Sequence, residues 1–142
     1  MPSRFIIRYP LPHRSQNEFS APASGQPAQE AFAPPTDVFE TPEDYRVRVE
    51  IAGVDPADVE IMVAEDHRTV TIQGDRPPAQ HDGPGRYLNI EVQYGPFART
   101  IVLPDAVSGE DARASYAQGY LSITLPRLRP QSSRRSVPIQ TK

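Results

Sequence analysis

The chain has 142 residues, a net charge of −3 and no cysteine; it is the size of one ordinary domain, and disulfides, thiolate metal sites and thiol nucleophiles are excluded. Lys142 is its single lysine beside fourteen arginines. With no internal lysine and no G-x-x-x-x-G spacing, P-loop nucleotide hydrolysis and Schiff-base chemistry are excluded as well. Charge is unevenly divided: residues 1–35 carry three Arg against two acids, 36–126 seven Arg against sixteen acids, and 127–142 four Arg plus Lys142 and no acid. An acidic middle argues against a nucleic-acid surface. A basic tail beside an acidic body is compatible with self-association and also with a simply solvated tail.

Residues 1–35 hold seven prolines and scattered large apolar groups: Phe5, Ile6, Ile7, Tyr9, Leu11, Phe19 and Phe32. Proline at this density blocks helices and central strands, so a disordered arm with little regular structure is expected here. Its aromatics suit either a plain leader or a sticky arm, sheltered in an assembly and exposed on demand. The apolar run before Arg8 is too short for a signal peptide. No stretch approaches the ~20 apolar residues of a spanning helix. A cytoplasmic protein is the expectation, with no membrane surface indicated.

From Thr36 the texture changes to short strand-like runs. Tyr45-Arg46-Val47-Arg48-Val49-Glu50-Ile51 alternates apolar and charged residues, as a half-buried strand does. Asp55 can then cap, and Pro56 start, a single helical turn. Val59, Ile61 and Val63 alternate next, Glu65 to Arg68 reads as a polar hairpin connection, and Thr69 to Gln73 forms the following strand. Residues 75–86, with three prolines and two glycines, form a long polar loop of the kind that is usually functional or mobile. Tyr87 to Val92 returns to strand character, and Phe97 to Leu103 follows, stopped by Pro104. Ser108 to Asp111 looks like a capped turn. Ala112 to Ala117 and Tyr120 to Leu125 are the last strands, joined at Gln118-Gly119. No window of eleven residues has helical periodicity, and seven or eight short strands mean an all-β, immunoglobulin-like sandwich.

Enzyme readings fail on inventory. His13, His67 and His81 fall in the arm, a turn and the loop, without a recognisable nucleophile or metal-ligand spacing. No catalytic residue, metal or cofactor is assigned.

The run Ala114-Ser115-Tyr116-Ala117-Gln118-Gly119-Tyr120-Leu121-Ser122-Ile123-Thr124-Leu125-Pro126 resembles the A-x-x-x-x-G-x-L-x-I-x-x-P signature of small heat-shock (α-crystallin) proteins of the bacterial type. Further stretches fit the same family. They are Asp37 to Glu40 with Tyr45 to Val54, Asp58 to Gly74, Gly95-Pro96-Phe97-Ala98-Arg99 with Leu103-Pro104, and Val137-Pro138-Ile139. The resemblance runs through residues 36–126 and includes the tail motif, but not the arm. Ile90-Glu91-Val92-Gln93 departs from the family, which often carries more Arg and Glu there.

The resemblance implies a 1–35 arm, a 36–126 α-crystallin domain and a 127–142 tail. It also implies an ATP-independent holdase that keeps unfolding client proteins from aggregating under stress, built as a homo-oligomer of dimers. Clients would meet the seven apolar arm residues. Pro138 keeps the tail extended, so Val137 and Ile139 project to one side. By resemblance they fill a groove between Val59, Ile61, Val63 and Ala114, Tyr116 of another copy. The 75–92 segment, with Tyr87, Leu88 and Ile90, looks like the one that pairs with a partner's first strand around Asp37, Val38 and Phe39. Arg99 looks like the family's dimer-interface arginine. A co-chaperone adaptor with a related sandwich would lack the tail motif, and an adhesion sandwich would carry an exported leader.

Overall fold

A computed structural model describes residues 5–8 and 30–129. Among the described residues, eight strands form two antiparallel four-stranded sheets, with one short 3₁₀ turn at Pro56–Asp58. In chain order the strands are β1 (Phe5–Arg8), β2 (Thr36–Glu40), β3 (Asp44–Glu50) and β4 (Glu60–Val63), then β5 (Thr69–Arg76), β6 (Gly95–Val102), β7 (Arg113–Ala117) and β8 (Tyr120–Pro126). One sheet runs β1-β4-β5-β6 and the other β2-β3-β8-β7.

The alternating runs are what bury the core. In β3, Tyr45, Val47 and Val49 are fully buried while Arg46, Arg48 and Glu50 face solvent. The register sets Val47 opposite Ile123 and Val49 opposite Leu121 of β8. Ile61, Val63, Val70, Ile72 and Phe97 supply the facing layer, and no polar residue is buried among the described residues. Each such aliphatic side chain is worth roughly 1.5–3 kcal/mol of burial.

The turns follow local side-chain chemistry. Asp55 caps the 3₁₀ turn by accepting from the Ala57 amide at 3.0 Å, with Pro56 at its first position. Asp66 organises the β4–β5 hairpin, accepting from the Arg68 and Thr69 amides at 2.9 and 2.8 Å and from the Thr69 hydroxyl at 2.7 Å. These bonds, the Thr69 hydroxyl foremost, favour the carboxylate and lower its pKa to about 2. Ser108 and Asp111 form the expected capped turn, joined at 2.8 Å through their side chains. Gln118 and Gly119 both take positive φ, 51° and 81°, the primed turn of a two-residue hairpin. At Gly74 a Cβ would lie 2.6 Å from Phe97 Cζ and 2.7 Å from the Asp58 carbonyl oxygen, so only glycine lets β5 pass there.

Three expectations are corrected. Tyr87 to Val92 forms no strand; residues 77–94 run as an irregular connection. A strand needs ladder partners, and among the described residues this segment has none. The arm is not wholly without regular structure: Phe5–Arg8 pairs antiparallel with β4, Phe5 opposite Val63 and Arg8 opposite Glu60. Its four residues contain no proline, so the blocking argument does not reach them. Phe32 belongs to the sandwich rather than to a free arm. Its amide donates to the Pro96 carbonyl, the Ala98 amide donates to its carbonyl, and its ring lies 5.8 Å from Phe97.

Candidate functional site

A sheet edge carries unpaired backbone donors and acceptors and invites another strand. The two sheets treat their edges differently. In the first, β1 covers the outer side of β4, and Phe32 bonds to the outer side of β6. In the second, β2 pairs only with β3 and β7 only with β8 among the described residues.

Large apolar side chains are exposed on β2 and in the 77–94 segment, and also at Val102, Tyr120 and Leu128. Val38 and Phe39 of β2 are exposed, and so are Tyr87, Leu88, Ile90 and Val92 of the 77–94 segment, Leu88 at 87%. Both ends of that segment are tied down. Arg76 donates to the carbonyls of Gln93 (2.7 Å) and Ala52 (3.4 Å), with its guanidinium 4.8 Å over the Phe32 ring. His81 hydrogen-bonds Tyr87 at 2.8 Å, and Asn89 donates to Glu91 at 2.9 Å. Arg99 lies on β6 opposite Ile72. Its side chain makes no hydrogen bond or ion pair among the described residues.

Of the expected tail groove, Val59, Ile61 and Val63 are buried, whereas Ala114 and Tyr116 are half-buried and packed against the core. The Tyr116 hydroxyl donates to the Ile51 carbonyl at 3.0 Å, fixing β7 to the end of β3. Asp37 is exposed on β2, opposite Arg48. Val137, Pro138 and Ile139 of the tail, and Tyr9, Leu11 and Phe19 of the arm, lie outside the described residues.

A cluster at the root of the tail escaped sequence reasoning. Arg127 donates to Glu40, to Asp105 and to the Thr41 carbonyl, and its guanidinium lies 4.6 Å over the Tyr45 ring. The Tyr45 hydroxyl donates to Asp105 at 2.7 Å. Burial first, and then that bond, push the phenol up to about 12. The Glu40 hydrogen bond raises the pKa of Arg127 further. The Arg127 amide donates to the Glu43 carbonyl, and that of Leu128 to the Ala106 carbonyl. The start of the tail is thereby bound to the β2–β3 hairpin. Glu40 lies 87 residues from Arg127, so no local spacing could announce the contact. The position just after the signature proline was the only signal.

Among the described residues no group of three or more His, Asp or Glu is arranged to hold a metal ion, and no helix is long and apolar enough to cross a membrane.

Comparison with known proteins agrees with this architecture. The chain is similar to spore protein SP21 of Stigmatella aurantiaca, 35% identical over 101 residues, which are 71% of this chain and 58% of that protein. It is also similar to the 17.8 kDa class II heat shock protein of Zea mays, 30% identical over 115 residues, covering 81% and 70% of the two chains. The crystal structure of a small heat-shock protein from Xylella fastidiosa superposes with a TM-score of 0.63 at 28% identity, over 79% of this chain and 100% of that one. Residues 37–140 match the model of the Hsp20/alpha crystallin family. The chain, a two-sheet β-sandwich with the sequence signature and the fold of that group, belongs to the Hsp20/alpha-crystallin family.

Proposed function

We propose that the chain is an ATP-independent holdase chaperone of the cytoplasm, assembling into reversible oligomers of dimers and binding partly unfolded proteins through apolar arm residues. Family membership supports a chaperone role. What supports the assembly is the presence together of a β2 edge and an exposed apolar segment, Tyr87 to Val92, with strand alternation, neither of which has a further ladder partner among the described residues. A second copy supplies what each lacks: its 77–94 segment pairs with this β2 near Asp37, Val38 and Phe39, and Arg99 meets acidic groups across the interface.

Tails link dimers by seating Val137 and Ile139 beside Val59, Ile61 and Val63 of a neighbour, near Ala114 and Tyr116. Burying the two side chains stabilises by about 3–6 kcal/mol at most, before the entropy of ordering the tail is subtracted. Each contact is weak alone and reinforced by repetition around the oligomer. Phe5, Ile6, Ile7, Tyr9, Leu11 and Phe19 remain the client-binding candidates. Phe32, being docked on β6, contributes to the sandwich edge instead.

The test is light scattering of a heat-labile client without nucleotide. Full-length protein should suppress the scattering, and protein lacking residues 1–29, which keeps Phe32, should lose most of the effect. Undiminished suppression by the truncated chain would remove the arm from client binding.

A further inference from the structure

Residues 77–94 leave and rejoin the sandwich at one ladder pair, Arg76 of β5 opposite Gly95 of β6. A loop closed at a single pair can pivot about it, so its direction depends on what else holds its base. Its other hydrogen bonds, His81 to Tyr87 and Asn89 to Glu91, lie within the segment. Apart from the strand ladder, one hydrogen bond joins it to the rest of the molecule among the described residues. In that bond Arg76 Nε donates to the Gln93 carbonyl at 2.7 Å.

The same guanidinium, on a half-buried side chain, is held from the sandwich side. Its Nη1 donates to the Ala52 carbonyl at 3.4 Å, just beyond β3. Its central carbon lies 4.8 Å from the centre of the Phe32 ring and 6.0 Å from that of Tyr94. Phe32 is itself fixed by two backbone bonds to β6 and by the Phe97 ring. From Phe32 the chain crosses to the other sheet through buried Pro34, and the Pro35 carbonyl accepts from the Glu50 amide at 3.0 Å. Strand β2 starts at the next residue. One side chain thus ties the base of the exposed segment to the strap that leads into the β2 edge.

We propose that Arg76 is the positioning residue of subunit pairing: with Phe32 as its platform, it sets the direction of the 77–94 segment relative to the β2 edge of the same subunit. This rests on the assembly reading given above. Two copies that exchange segments make two equivalent contacts, and both close only if segment and edge stand at the right angle within each subunit. A segment free to pivot meets that condition in a fraction of its conformations, and the apparent affinity falls by that fraction. Lysine is no substitute. Its ammonium keeps the charge but offers no planar face to the Phe32 ring and no fixed fork for two carbonyls.

Five forms of the full chain test this: wild type, Arg76→Lys, Phe32→Leu (which keeps an apolar side chain but removes the ring face), these two combined, and Leu88→Ser with Ile90→Ser. Light scattering on dilution reads the concentration at which pairs fall to single subunits, and near-ultraviolet circular dichroism reports an intact sandwich. Each of the first two changes should raise that concentration about tenfold. Their combination should raise it by about the same factor rather than about a hundredfold, because both remove one contact. A second measurement follows the segment itself. The chain has no cysteine, and a Cβ at Gly85 would meet nothing within 4 Å, so Gly85→Cys gives a single site for a fluorescent dye. In the Leu88→Ser, Ile90→Ser background, where the segment is unpaired, Arg76→Lys should lower the anisotropy of that dye.

Wild-type dissociation of Arg76→Lys, while the Leu88→Ser, Ile90→Ser form falls apart, overturns the positioning role and leaves the assembly reading standing. Unchanged dye anisotropy does the same. So does a combined variant weakened about a hundredfold, which would make Phe32 and Arg76 independent of each other. If the Leu88→Ser, Ile90→Ser form keeps the wild-type mass at every dilution, the assembly reading fails, and the role of Arg76 with it.

Discussion

Two stretches of this chain read alike and end differently. Tyr45 to Ile51 and Tyr87 to Val92 both alternate apolar and polar residues. The first lies between β2 and β8 with its apolar positions at most 1% exposed. The second forms no ladder, and Leu88 and Ile90 stand 87% and 65% exposed. Alternation is a statement about two faces. It says that a segment is suited to a sheet, and nothing about which chain provides the neighbour. Where the fold supplies partners on both sides, the pattern becomes core. Where it supplies none, the same pattern stays an exposed apolar surface.

A matched substitution breaks the comparison most strongly at the buried stretch. Ile51→Ala should destabilise the fold by about 2–5 kcal/mol, read by denaturant unfolding, because it removes a fully buried side chain and leaves a cavity. Acid probes the hairpin that sets β4 against β5, with a smaller effect. The Asp66 carboxyl titrates near 2 in the fold against about 3.9 when unfolded. Its stabilisation is therefore complete above about pH 4 and is lost as pH falls through about 2. Asp66→Asn should flatten that acid limb in thermal unfolding scans; an unchanged limb would mean that the hairpin bonds carry no weight in stability. The smallest effect is expected for Ile90→Ala, within about 0.5 kcal/mol for dilute protein, the same atoms having been removed from a surface that one chain leaves open.

Much of the sandwich was legible because its signals are local. Period-two runs mark β3, β4, β5 and β8, Pro104 marks the end of β6, Asp55-Pro56 marks the 3₁₀ turn, and Gln118-Gly119 marks the last hairpin. Apart from Tyr87 to Val92, the failures share one cause, contact between residues far apart in the chain. Phe5–Arg8 gives no sign in sequence that β4 is its partner. Phe32, in a proline-rich stretch, reads as arm until Phe97 and the β6 backbone are seen to hold it. Arg127 gathers Glu40, Thr41, Tyr45 and Asp105 from three separate places. Val38, Phe39, Tyr87, Leu88 and Ile90 could be listed from sequence alone; that they stand exposed required the fold.

The decisive measurement is the molar mass in solution, by light scattering at matched concentration, of the full chain and of a Leu88→Ser, Ile90→Ser form. The full chain should run at an even multiple of its 15.8 kDa subunit. The altered form, its sandwich intact by near-ultraviolet circular dichroism, should fall to a single subunit. An unchanged mass for the altered form would contradict the claim that a second copy completes the β2 edge through this segment.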